Sequence, residues 1–140
     1  YLKTRSEGFS DEVKRRIMTG TYVLSSGYYE AYFSKALKVR RLIRNGYLDI
    51  FKKCENLLMP TTPDLPFKLK NNLKDPLKMY LSDIFTVPIN LAGIPSMNVP
   101  AGYSSNELPI GLQILSNSFK EETIFNLAHI IKEEEVFENA

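Results

Sequence analysis

Few residues in this chain have the chemistry of a nucleophile, a general base or a metal ligand. There is one histidine, His129, one cysteine, Cys54, and no spaced cluster of carboxylates. A structural or catalytic zinc centre needs three or four such ligands, so no metal site is expected. His129 lies beside the apolar stripe of the last helical stretch with no acid–nucleophile pair near it, which predicts a structural or solvent-facing side chain. Cys54 stands between a helical stretch and a strand-like one, where a small core thiol is expected rather than a nucleophile. Ser25-Ser26-Gly27 is tempting as a nucleophile motif, but it falls at a junction of two helices and no Lys or His stands at a telling spacing from it. A helix-end role is expected instead. The scattered glycines form neither a phosphate loop nor a dinucleotide fingerprint.

Positive charge is the second kind of chemistry on offer. Between Ala31 and Leu48 stand Lys35, Lys38, Arg40, Arg41 and Arg44 with no acidic residue among them. On a helix Lys35, Lys38 and Arg41 share one face, which could contact phosphate or serve only as a solvated face opposite the core. Over the whole chain 18 basic residues stand against 16 acidic, and a net charge of +2 argues neither for nor against nucleic acid.

The elements that must position these side chains can be read from periodicity and turn chemistry. Ser10-Asp11-Glu12 precedes apolar residues at Val13, Ile17 and Leu24, which predicts a helix start, and Gly27 predicts its stop. Tyr32, Ala36, Val39, Ile43, Tyr47 and Ile50 recur at three- and four-residue spacing and predict the buried face of a longer helix, interrupted in pattern by Gly46. Asn56–Met59 reads as a short buried strand ended by Pro60-Thr61-Thr62-Pro63, and residues 63–76, with the Lys-Asn tract from Lys68 to Lys74, read as a surface loop. Helical stretches are expected over Leu77–Leu81 and up to Gly93, and strands over Met97–Ala101 and Ile110–Leu115 around a turn at Ser104–Glu107. Ser118 and Glu121 have capping-box spacing for a last helix with Ile124, Leu127 and Ile131 inward. Interleaved helices and strands define an α/β class.

With 140 residues, 44% of them hydrophobic, the chain can bury a core, yet three short strands make a thin sheet for a free-standing domain. The chain opens on Tyr1-Leu2-Lys3 without an initiator methionine, so it is expected to be part of a longer protein whose remaining strands lie upstream. No apolar stretch approaches the length of a membrane span, and no signal peptide is readable. A single cysteine fits a reducing compartment.

Longer blocks carry more information than any single residue. The stretches Thr4–Phe9, Glu12–Met18 (Glu-Val-Lys-Arg-Arg-Ile-Met) and Gly20–Tyr29 (Gly-Thr-Tyr-Val-Leu-Ser-Ser-Gly-Tyr-Tyr) resemble the amidase-signature family, and within it the glutamine-hydrolysing subunits of the tRNA-dependent amidotransferases. So does Asp75–Pro95, while Pro109-Ile-Gly-Leu-Gln113 is shared more widely across the family. The resemblance covers essentially all of residues 1–140 and implies a C-terminal part of one amidase-signature domain, with a mixed β-sheet covered by helices on both faces. It implies a nucleophilic serine, a second serine and a lysine, in a Gly/Ser-rich signature upstream of the matched region. Nothing in this chain matches that signature, so no catalytic residue is assigned here.

What the resemblance does assign is recognition of free glutamine: Arg16 for the α-carboxylate, with Arg15 as the weaker candidate, and Asp83 for the α-ammonium. A guanidinium fork suits a carboxylate, and a partly dehydrated carboxylate selects an ammonium over a neutral group. Read without the resemblance, Arg16 is a surface ion-pair residue and Asp83 a cap for a helix starting near Ile84. The implied partners are glutamine, the other subunits of a heteromeric amidotransferase, and Glu-tRNA(Gln) through the complex. No cofactor is expected in this chain, and ATP and magnesium belong to a partner subunit. The implied compartment is bacterial cytoplasm or an organellar matrix or stroma. Two other readings remain: a piece of an amidase-signature hydrolase acting on simple amides, and a module that binds subunits or tRNA through its basic helix.

Overall fold

A computed structural model describes residues 1–69 and 76–133, which fall into two compact units, one from Tyr1 to Arg41 and one from Leu42 onward. The first holds α1 (Leu2–Glu7), α2 (Asp11–Val23), a π-helical segment (Tyr29–Ser34) and the start of α3 (Lys35–Ile50), which continues into the second. Ser10 caps α2 as its sequence suggests, its Oγ accepting from Val13 N at 3.5 Å, with Asp11 and Glu12 in the first turn. The helix closes on Leu24, and Gly27 reverses the chain at φ +87°. There Tyr22, Tyr28 and Tyr32 gather, the first two with ring centroids 4.3 Å apart.

This unit departs from expectation in its burial. Val13, Ile17, Tyr32 and Val39 lie on apolar stripes, yet all four remain between 41% and 52% exposed. Helical period decides which side of a helix is apolar, whereas burial needs an opposing surface. Among the described residues none of the four is fully covered, and Tyr32 has the Tyr22 and Tyr28 rings beside it.

The second unit is built around β1 (Asn56–Pro60), β2 (Ser96–Tyr103) and β3 (Pro109–Ser116), in spatial order β1-β3-β2, with both pairings antiparallel. All three strands fall where the apolar runs and turn residues put them, and Glu107 takes a left-handed φ of 59° in the turn before β3. β3 is central, so its successive side chains face two different layers. Ile114 joins Val99 and, on α6 (Glu121–Glu133), Ile124, Ala128 and Ile131. Leu115 joins Ile94 and, on α5 (Val87–Ala92), Ile89 and Ala92, with Ile43, Tyr47 and Phe51 from the α3 side. The sheet is thus covered by helices on both faces, as the fold class requires. Burial pushes the Tyr47 phenol up from its ordinary value of 10.0.

Two helix ends show what positions these layers. α5 stops at Gly93, whose φ of 67° is the left-handed cap a glycine supplies at little cost. Arg44 of α3 donates from Nη1 to the Ala92 carbonyl at 2.6 Å and from Nη2 to Ser118 Oγ at 3.3 Å. Ser118 therefore serves Arg44 and does not form the expected capping box. Phe119 sits at φ 61°, outside helical geometry, so α6 begins later, at Glu121. A short α4 (Pro76–Ser82) matches the expected helix over Leu77–Leu81, while the Lys-Asn tract lies mostly outside the described residues, at 70–75.

Ile114 and Leu115 are both fully buried. Truncating either, as Ile114→Ala or Leu115→Ala, should lower unfolding stability by about 2–5 kcal/mol, read as a lower urea midpoint at unchanged slope.

Candidate functional site

Asp83 lies in the turn between α4 and α5. Its backbone is tied on both sides: its N–H donates to the Tyr80 carbonyl at 3.2 Å, and its carbonyl accepts from Thr86 N at 3.1 Å and Val87 N at 3.0 Å. The Thr86 hydroxyl adds a third bond to that carbonyl at 3.2 Å. α5 takes Thr86 as its N-terminal flanking residue without a side-chain cap. The helix-cap role for Asp83 is therefore not what the fold uses, because the main chain, not the carboxylate, makes the turn. The carboxylate itself is exposed and makes no hydrogen bond or ion pair with any other described residue.

Behind this turn stands Gln113, 2% exposed in the middle of β3. Its Nε2 donates to the Phe85 carbonyl at 3.3 Å and to the Pro60 carbonyl at 3.0 Å. A primary amide has two N–H donors, so one side chain can serve both acceptors. Gln113 shares its strand face with Leu115, two residues on, which packs against α5. The turn before α5 and the helix itself are thus held by alternate residues of one strand.

Gly111, next on the same face, is needed for space. A Cβ there would stand 2.9 Å from Thr61 Oγ1 and 3.2 Å from Thr61 Cβ. Thr61 N donates to the Gly111 carbonyl at 3.1 Å, and Thr61 Oγ1 bonds Asn98 Oδ1 at 2.9 Å. The Pro-Ile-Gly-Leu-Gln motif therefore joins three stretches of chain. Its role was not assigned from sequence, although a glutamine inside an apolar strand run was a usable signal: buried amides must find partners.

Arg16 belongs to the first unit. Its Nε donates to Glu12 Oε1 at 2.9 Å, and Arg15 Nη1 reaches Glu12 Oε2 at 2.6 Å. The Arg15 and Arg16 side chains are 58% and 67% exposed, and Arg16 stands in the surface ion pair that its type and spacing suggest. Lys35, Lys38 and Arg41 are likewise exposed. His129 is a surface residue 4.0 Å from Glu133. Ser25 Oγ donates to the Tyr22 carbonyl at 2.6 Å, which is the expected helix-end role. Cys54 departs from expectation: it is exposed, past the end of α3, with only a weak contact to the Ile50 carbonyl. β1 starts two residues later, so the thiol precedes the core instead of entering it.

An open apolar groove of about 500 Å³ runs between α3 and β1, lined by Leu42, Tyr47, Leu57 and Met59 and floored by Gly46. Gly46 does not break α3. No helix among the described residues is long and apolar enough to cross a membrane.

The chain as a whole is similar to known proteins. The family model described as Amidase matches residues 1–125, and the chain belongs to that family. It is 58% identical over 129 residues to a glutamyl-tRNA(Gln) amidotransferase A subunit of Clostridium acetobutylicum, covering 92% of this chain and 26% of that protein. With the corresponding A subunit of Pelagibacter ubique it shares 53% identity over 139 residues, 99% of this chain and 29% of that protein. The crystal structure of the A subunit from Thermotoga maritima superposes with a TM-score of 0.70 at 48% identity, over 93% of this chain and 28% of that one. The chain thus spans between a quarter and a third of the length of these relatives.

Gly111→Ala should cost about 1–3 kcal/mol of stability by forcing Thr61 aside. Thr61→Ala should recover part of that loss, so strictly additive denaturation energies in the double variant would refute the steric account.

Proposed function

We propose that this chain is the glutamine-reading portion of the A subunit of a glutamyl-tRNA(Gln) amidotransferase. The observation that carries this reading is identity above half to two curated A subunits over nearly the whole chain. In the proposed reaction the complete subunit releases ammonia from glutamine, and companion subunits use it to convert Glu-tRNA(Gln) to Gln-tRNA(Gln). ATP and magnesium are assigned to a companion subunit, and the nucleophile to sequence outside this chain. The complex would act in bacterial cytoplasm or an organellar matrix or stroma.

Arg16 and Asp83 carry the recognition. A guanidinium binds a carboxylate through paired N–H donors, and its charge is permanent. Exposed ion pairs at i,i+4 spacing contribute only about 0.3–0.5 kcal/mol, so the Glu12 contact by itself holds Arg16 weakly. Asp83 offers the complement: a fixed main chain and a carboxylate that the described residues do not engage. A ligand lacking the α-ammonium would strip water from that carboxylate and leave it unpaired, the penalty on which selectivity of this kind rests.

In the complete subunit, either Arg16→Ala or Asp83→Ala should raise the glutamine KM by about tenfold or more, the loss of one charge-assisted contact. A simple amide such as butyramide should lose far less. An equal loss for both substrates would favour a general amide hydrolase instead. The isolated chain should release no ammonia from glutamine above a heat-killed control, and measurable turnover would remove the nucleophile from its assigned place.

A further inference from the structure

We propose that Gln113 is a positioning residue for glutamine selection, acting through the Asp83 turn. The inference rests on the reading that Asp83 holds the donor's α-ammonium. Asp83 is joined to the fold by local backbone bonds within residues 80–87, and these bonds fix the shape of the turn but not its place on the sheet. Place is supplied by the Phe85 carbonyl on Gln113, two residues beyond Asp83, and by Ile89 and Ala92 on Leu115. Of the contacts to β3, the amide alone is directional, and the other directional tie on α5, from Arg44 to the Ala92 carbonyl, lies at the end of the helix away from the turn. Without the amide, α5 keeps its apolar seat while the turn ahead of it loses its directional tie to the sheet.

Burial strengthens the case. Gln113 is 2% exposed, so its own amide is held away from bulk water and depends on the Pro60 and Phe85 carbonyls for its hydrogen bonds. An apolar residue could fill the strand position, and what the amide adds is two ties, one to the end of β1 at Pro60 and one to the turn at Phe85. The contribution is to orientation rather than to contact with substrate, so Gln113 is not a catalytic residue.

The test uses the complete subunit carrying this sequence, assembled with its companions, and two substrates: glutamine and 4-carbamoylbutanoate, which keeps the amide and carboxylate but lacks the α-amino group. The readout is the ratio of kcat/KM for the two. Gln113→Met keeps volume and removes both donors, and Gln113→Glu keeps shape and removes them while ionised. Each should lower the preference for glutamine by about tenfold, chiefly through KM for glutamine, the factor that corresponds to one hydrogen bond of about 1.4 kcal/mol. A purely structural loss would lower both substrates together and leave the ratio unmoved. Combined with Asp83→Asn, either Gln113 variant should add no further loss of preference, because both act through one carboxylate.

An unchanged ratio in a folded Gln113 variant, or additive losses in the double variant, overturns the proposal. If Asp83→Asn leaves the ratio intact, the glutamine reading itself fails. If Asp83→Asn collapses the ratio while the Gln113 variants preserve it, only the positioning role fails. If circular dichroism shows both Gln113 variants unfolded, Gln113 is a sheet residue and the assignment is likewise overturned.

Discussion

Neighbouring side chains on a strand point to opposite faces, and in β3 both faces are buried. Ile114 closes one layer against α6 and Leu115 closes the other against α5, so a single dipeptide joins the two cores of the second unit. Neither layer could move on the sheet without disturbing the other. Register follows from the same constraint, since a slip of one residue would exchange the two faces. Gln113 and Gly111 inherit their positions from it: both lie on the Leu115 face, one reaching toward the turn before α5, the other making room for Thr61.

The parts of this fold written in local chemistry were legible from the sequence. Ser10 before Asp11-Glu12 located the start of α2, short apolar runs bounded by prolines and turn residues located all three strands, and Gly93 marked the end of α5. What stayed hidden depended on partners remote in the chain. Ser118 has the spacing of a helix cap, yet Arg44, 74 residues away, takes its hydroxyl. Cys54 has the composition of a core residue, but the chain turns inward only at β1. The stripes of α2 and upper α3 declare an apolar side without saying whether anything covers it.

Arg16 and Asp83 differ in how they are held, and the difference matters for the proposed site. Arg16 carries its charge on a long side chain already engaged with a surface carboxylate. Such a group adapts by changing rotamers. Asp83 has a short side chain on a main chain bonded at both its N–H and its carbonyl. Its carboxylate has only two side-chain torsions, so larger adjustments require the turn to move. Selectivity between ligands is accordingly better vested in Asp83, where less misfit can be absorbed. Both residues were named from a resemblance, and no periodicity or spacing would have singled them out.

Gln113 is also a junction in the polymer sense. Its two acceptors lie 53 and 28 residues upstream, so one side chain closes two nested loops of the chain. The entropy of closing a flexible loop grows only with the logarithm of its length, by about 0.6 kcal/mol for each doubling. Added length between Pro60 and the start of α4 would therefore cost little in closure entropy, while Pro60 and Phe85 stay pinned to the same amide. The tie that places the Asp83 turn is thus indifferent to how much chain separates its two acceptors.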